Sequence, residues 1–299
     1  MGLITTSTGH YQLELCHAGY KSADYLILQK SNTRTVEISM LEPLPTSGRL
    51  PSHLEIKYGP VSLLGRFFLW ADTAARDRGV TLFFATLQEL VQANKANSDS
   101  WRPLVPIFDP TLGGMTPETG FVIIGRDEEG QVVATQAARL YDWSETTLKD
   151  EATSLRMFYA DPDAAFGRGD LCEITAPVAT TIAGRVVFSG AGWYRRDFRN
   201  KGLATILPRI SRAYGFTRWN TDFTISIMAD AVVAGGMAER CGYTKVEHSS
   251  VELVVSPLGV VPGALVWMPA DELLADLAVI MDQASMPVVA PSITEEARC

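Results

Sequence analysis

Basic residues crowd one short stretch of this 299-residue chain. Arg195, Arg196, Arg199 and Lys201 stand in the run Gly190-Ala191-Gly192-Trp193-Tyr194-Arg195-Arg196-Asp197-Phe198-Arg199-Asn200-Lys201-Gly202-Leu203-Ala204. The run reads as a strand passing through a basic turn into a helix that begins near Lys201. The first backbone N–H groups of a helix have no intrahelical partner and lie at its positive dipole end, so such a start attracts anions. Gly202 lets a diphosphate approach the backbone, Ala204 keeps the first turn uncrowded, and the cations supply charge where a phosphate would sit. Glycines at 190 and 192 inside a strand favour a bulge or the close approach of another extended chain, such as a ligand whose amides pair with the opened edge.

Other elements must hold that stretch in place. Leu63, Leu64, Phe67, Phe68, Ala71, Ala74 and Ala75 recur at helical spacing and end near Arg78-Gly79, which suits a helix C-terminus. A second short helix is expected over residues 87–94. Strands at 121–125 and 131–137 flank Arg126-Asp127-Glu128-Glu129-Gly130, a charged, glycine-bearing hairpin tip. A less regular insertion over 144–172 carries a helix around 146–158. Strand 185–195, helix 201–214, strand 223–228, helix 231–241 and strands 243–247, 251–255 and 264–267 follow. Leu203, Ile206, Leu207, Ile210 and Ala213 give the helix after the basic turn its apolar face, and Pro208 is expected to kink or split it. Short strands at 25–28 and 35–38 precede a cluster of prolines and a glycine at residues 43–51 that marks a boundary.

Composition sets the frame. With 46% hydrophobic and 20% charged residues the chain is globular, and a net charge of -8 argues against a nucleic-acid partner. Four cysteines and four histidines are scattered without metal-ligand spacing, so neither zinc nor a disulfide framework is expected. No secretory signal or membrane span is apparent, which makes the cytoplasm the default compartment.

The stretch resembles the GNAT superfamily of acetyl-CoA-dependent N-acetyltransferases, whose hallmark is Gln/Arg-x-x-Gly-x-Gly/Ala between its fourth strand and third helix. Arg199, Gly202 and Ala204 fill the three defined positions. Phe223-Thr224-Ile225-Ser226-Ile227-Met228 alternates as the family's fifth strand does. Met237-Ala238-Glu239-Arg240-Cys241-Gly242-Tyr243 is similar to its closing helix and Gly-Phe/Tyr step. The resemblance implies an α/β fold with a mixed, mostly antiparallel central sheet flanked by helices. It covers a GNAT-like acyltransferase domain over 54–270; outside it, the residue pattern gives an N-terminal extension of short strands over 1–53, a C-terminal helix over 271–284 and a flexible tail over 285–299. The implied reaction moves acetyl from acetyl-CoA, or another acyl-CoA, directly to a primary amine on a small molecule or peptide, with no metal. Trp193, Tyr194, Arg195, Arg199, Asn200, Lys201, Gly202, Leu203 and Ala204 are its expected cofactor-binding residues. The general acid of many relatives would stand at Ala238, which has no hydroxyl, and Tyr194 or Tyr214 is the alternative. Strand 185–193 holds no carboxylate for a base, which leaves Glu173 as the nearest strand-like acid, with Cys172 beside it as a ping-pong alternative. The contrary expectation is a catalytically degenerate GNAT fold kept as a CoA-binding or regulatory module. Residues 1–50 are expected to add a half-sheet that completes the acceptor site or a homodimer face.

Overall fold

The computed structural model describes residues 48–256 and 258–285, together with the backbone of four short N-terminal strands. These are β1 (Leu3–Thr6), β2 (Gly9–Leu15), β3 (Leu26–Lys30) and β4 (Thr35–Val36), hydrogen-bonded in sequence order as an antiparallel sheet. They belong to a unit spanning Met1–Pro43, separate from a second unit, Leu44–Cys299. The tail expected over 285–299 lies almost wholly outside the described residues. Leu50 is fully buried in the core of the second unit, so that unit begins ahead of residue 54.

In the second unit α1 (Val61–Arg76) is followed by β5 (Thr81–Ala85), an edge strand that the sequence pattern did not reveal, and by α2 (Leu87–Ala96). Thr86 and Glu89 close the start of α2 with a reciprocal capping box, the side chain of each accepting the other's backbone N–H. The expected hairpin is β6 (Gly120–Arg126) and β7 (Val132–Trp143). The insertion then forms two single-turn helices, α3 (Leu148–Thr153) and α4 (Pro162–Gly167), and a strand, β8 (Leu171–Ile174). Strand β9 (Gly184–Tyr194), helix α5 (Leu203–Trp219) and strand β10 (Phe223–Ala229) come next. The helix expected over 231–241 is broken into α6 (Asp230–Ala234) and α7 (Met237–Cys241) by Gly235 and by Gly236, whose φ of 72° no helix tolerates. Strand β11 (Lys245–Val255), strand β12 (Gly259–Pro269) and helix α8 (Ala270–Ser285) complete the unit.

The eight strands form one sheet in the order β5-β6-β7-β9-β10-β12-β11-β8. Every neighbouring pair is antiparallel except β9 and β10, whose parallel pairing needs a crossover, and α5 supplies it. The mixed, mostly antiparallel sheet flanked by helices is the architecture that the resemblance implied. One apolar core lies between the sheet and α1, α5 and α8, and a second lies on the other face under α2, α3 and the loop around Phe108.

Helix α5 runs unbroken through Pro208. The proline removes one amide donor, but the helix is clamped on nearly every side, and each residue from Ile206 to Thr217 is buried. Tertiary packing therefore outweighs the local cost of the proline.

Candidate functional site

Strands β9 and β10 pair at only three positions, Val186 with Phe223, Val187 with Thr224 and Phe188 with Ile225. Beyond Phe188 and Ile225 they diverge, and among the described residues their facing edges have no strand partner. A bulge in β9 widens the gap: the register against β7 slips between Thr135 and Ala137, and Ala191 takes a φ of 51°. Thr135 Oγ1 donates to the Ala191 carbonyl at 2.8 Å and pins the bulge. Little room is left for a side chain on either side of it. A Cβ on Gly190 would sit 2.8 Å from the Phe188 ring, and one on Gly192 would sit 3.1 Å from Gln136 Oε1.

A cavity of about 450 Å³ opens at this divergence. Its wall is made by residues 189–194 of β9, residues 226–229 of β10, the loop 100–105, Phe108, Gln136 and Arg199, with Met237 and Cys241 of α7 closing one side. A row of polar side chains crosses the sheet beside it. Gln136 Nε2 donates to Ser189 Oγ at 3.1 Å, and the Ser189 hydroxyl is hydrogen-bonded to that of Ser211 of α5 at 3.0 Å. Tyr243, which also lines the cavity, is stacked under the Arg212 guanidinium at 4.5 Å. Burial pushes its phenol above the ordinary tyrosine range, with Arg212 acting in the opposite sense.

The basic turn follows directly. Residues Arg196–Phe198 form a single 3-10 turn, Asn200 has a φ of 60°, and Gly202 caps α5 from the left-handed region at 77° with no side-chain cap. The N–H groups of residues 200–204 find no acceptor among the described residues. Five consecutive donors at a positive helix end form an anion cradle. Arg78 fastens this turn to the end of α1, its Nε donating to the Lys201 carbonyl and its Nη1 to that of Ala74, both at 2.6 Å.

The sequence-predicted residues divide by what they touch. Arg195 is committed elsewhere: it pairs with Asp127 and Asp197 at 2.8 Å and lies over the Phe198 ring, so it shapes the turn and is not an open cation. Arg195 in turn holds the Asp197 carboxyl below the usual carboxylate range. Arg196, Arg199 and Lys201 are exposed and have no ion pair among the described residues. Arg199 Nε donates to the Tyr194 carbonyl at 3.0 Å, which brings its guanidinium to the cavity wall. Leu203 is buried in the core, so its side chain anchors the helix and only its backbone faces outward. Trp193 stacks on Trp101, with ring centroids 5.2 Å apart, and both line the cavity. The Tyr194 hydroxyl is buried with no hydrogen-bond partner among the described residues, and burial raises its pKa well above the ordinary value.

Glu173 stands apart from the cavity. It is exposed on β8 at the outer edge of the sheet, with β11 and β12 between it and β10, and it does not line the cavity. Neighbouring Cys172 is buried and its thiol is pushed up to about 12, so it is a poor nucleophile. Arg209 and Arg212 of α5 are buried. Arg209 grips Asp276 of α8 through two bonds of 2.8 and 2.9 Å, and Arg212 donates to the Cys241 carbonyl. Tyr214 packs against Phe84 and Phe121, away from the cavity. Tyr141 and Trp143 stack on each other, and the Tyr141 hydroxyl donates to the Met157 carbonyl. Sequence reasoning missed Trp101, Arg102 and Gln136. An aromatic beside a cation in a proline-rich loop was the available signal for the first two. No group of His, Cys, Asp and Glu able to hold a metal is found among the described residues. No helix among them is long and apolar enough to cross a membrane.

No protein-family model matches the sequence, and no curated protein matches it. Solved structures do align with it. The aminoglycoside acetyltransferase AAC(6')-Ib, in complex with ribostamycin and coenzyme A, aligns at 13% identity over 65% of this chain and 95% of its own, with a TM-score of 0.37. Mycobacterium smegmatis RimJ, in complex with CoA-disulfide, aligns at 12% identity over 68% and 89%, with a TM-score of 0.37. Mutant forms of the spermidine/spermine N-acetyltransferase SpeG from Vibrio cholerae align at 10% identity over 66% and 97%, with a TM-score of 0.38. Likenesses this distant decide neither substrate nor mechanism.

Proposed function

We propose that this chain is a GNAT-type acyltransferase that carries acetyl, or another acyl group, from acyl-CoA to an amine. The observation that supports it is the coincidence, along one strand and its turn, of an opened strand edge and an anion cradle. The diphosphate of the CoA sits on the N–H groups of residues 200–204, with Arg196, Arg199 and Lys201 adding charge. The pantetheine arm runs between β9 and β10 and pairs its amides with the free edge, as an added strand does. This places the thioester at the bulge around Ala191 and Gly192.

Transfer then needs three things: an amine lone pair, stabilisation of the charge that develops on the thioester oxygen, and a proton for the departing thiolate. A backbone N–H on β9 beside the bulge serves the oxygen, and such a fixed dipole costs nothing to reorganise during reaction. The Tyr194 phenol, kept protonated by burial and without a partner, is a hydrogen-bond donor for the sulfur. Cys172 does not line the cavity, and burial raises the thiol of Cys241, which does, so neither is an activated nucleophile; this favours direct attack over a covalent enzyme intermediate. The scattered cysteines, of which Cys172 and Cys241 are free, fit a reducing cytoplasm.

The test is calorimetric titration of acetyl-CoA into the purified protein, followed by thiol release across an amine panel. Binding with acceptor-dependent release of CoA is expected. The described cavity wall has no carboxylate or imidazole, which favours a second reading, a CoA-binding module without transferase activity. Tight binding with no release from any acceptor would establish that one instead, and no binding removes both.

A further inference from the structure

The acceptor side of this cavity has a definite chemistry. Its described wall holds two stacked indoles, Trp101 and Trp193, the ring of Phe108 and the side chain of Ile227. Two guanidinium groups, Arg199 and Arg102, supply its only charge among the described residues, and no carboxylate or imidazole faces it. Arg199 belongs to the diphosphate in the acyl-transfer reading, which leaves Arg102 for the acceptor. Arg102 follows Trp101 directly in the loop, is exposed, and has no ion pair among the described residues.

An alkylamine arrives at neutral pH as an ammonium ion. To enter such a wall it would lose its water without gaining a counter-charge, would meet a like charge at Arg102, and would find no side chain to take its proton. An aromatic amine has none of these difficulties. Its lone pair is already free at neutral pH, its ring packs against the apolar and aromatic wall, and an acidic ring substituent is drawn to the guanidinium. Resting on the acyl-transfer reading, we propose that the acceptor is an uncharged aromatic amine bearing an acidic group on its ring. In the step, the amine nitrogen bonds to the thioester carbon and the C–S bond breaks. The nitrogen gives up one proton and the thiolate takes one, leaving the aryl amide and free CoA.

Three probes test the acceptor, each with acetyl-CoA as donor: 4-aminobenzoate, aniline and spermidine. CoA binding is measured separately by calorimetry, so that failure of the donor site is told apart from failure of the acceptor assignment. The expected result is turnover of 4-aminobenzoate with kcat/KM about tenfold above aniline, the worth of about 1.4 kcal/mol, with spermidine far below both. Arg102→Ala should bring the ratio of the two aromatic acceptors to about one, and Trp101→Ala should raise KM for both, whereas Trp101→Phe should not. The rate with aromatic amines should be level from pH 6.5 to 8.5, because the acceptor nitrogen is uncharged throughout that range. Spermidine turned over faster than 4-aminobenzoate would overturn the assignment, as would a rate that climbs with pH or an Arg102→Ala ratio equal to that of the native chain. CoA binding without turnover of either aromatic probe would overturn it too. Absence of CoA binding would remove the acyl-transfer reading along with it.

Discussion

Arg199 and Lys201 stand just ahead of α5, exposed and without ion pairs among the described residues, while Arg209 and Arg212 lie further along the same helix and are buried. Arg209 makes four hydrogen bonds, two to the Asp276 carboxylate and one each to the carbonyls of Thr205 and Arg240. The turn ahead of the helix shows the reverse, five N–H groups and three cations with little inside the protein to satisfy them. A protein that closes Arg209 internally, leaves buried Arg212 with Nε and Nη1 unpartnered among the described residues, and holds Arg196, Arg199 and Lys201 open at the turn has separated a structural use of charge from a ligand-directed one. The open set is where a ligand must supply what the chain withholds.

The contrast can be broken or sharpened experimentally. The largest effect is expected from Asp276→Ala, which strands two buried guanidiniums and should cost about 3–5 kcal/mol in a denaturant titration. Acetyl-CoA affinity of the protein that remains folded should not change. A loss under about 1 kcal/mol would mean that Arg209 is satisfied by the Thr205 and Arg240 carbonyls alone. Next comes Arg199→Ala, which should weaken acetyl-CoA binding by about 1.5–3 kcal/mol, measured calorimetrically, with the denaturation midpoint unmoved. A fall in stability and not in affinity would assign Arg199 to the closed set. Gly202→Ala should cost about 1–2 kcal/mol of stability through its left-handed φ, and should also weaken binding by crowding the donors. Smallest of all, Glu173→Gln and Cys172→Ser should leave kcat within about twofold of the native value, the scatter of surface and conservative core changes.

Cys172 also offers a pH test. Its folded pKa of about 12 is raised by burial above the ~8.5 of an unfolded cysteine. The group therefore contributes stability in full below ~8.5, and that contribution is lost as pH climbs from there towards 12. Alkylation at pH 8 should be slow in the native protein and fast once it is unfolded. Rapid native alkylation would show that the strand carrying Glu173 and Cys172 opens locally.

The turn and the strands around it were legible because their signals are local. Glycine at a left-handed position, cations clustered at a helix start and strict alternation in residues 223–228 each constrain a few neighbouring residues. What escaped notice depends on residues distant in the chain. Strand β5 is short and apolar, and only its pairing with β6 distinguishes it from the end of a helix. The burial of Arg209 and Arg212 rests on α8, whose Asp276 lies far along the sequence and gives no local sign of the pairing. The same holds for the stacking of Trp101 on Trp193, which brings a proline-rich loop onto the mouth of the cavity. The place of Glu173 has a related cause: its closeness in sequence to β9 did not become closeness in space, because its strand joins the sheet through β11.

The narrow parallel contact between β9 and β10 gives the sheet a seam. On one side lie β5, β6, β7 and β9, on the other β10, β12, β11 and β8, and three residue pairs join the halves. A pantetheine arm laid along the seam would act as a splint, exchanging solvent-facing amides for bonds that reach from one half towards the other. The protein would then be most rigid while loaded with donor and loosest after the spent cofactor leaves. Amide hydrogen exchange confined to residues 189–194 and 226–229 would record that cycle.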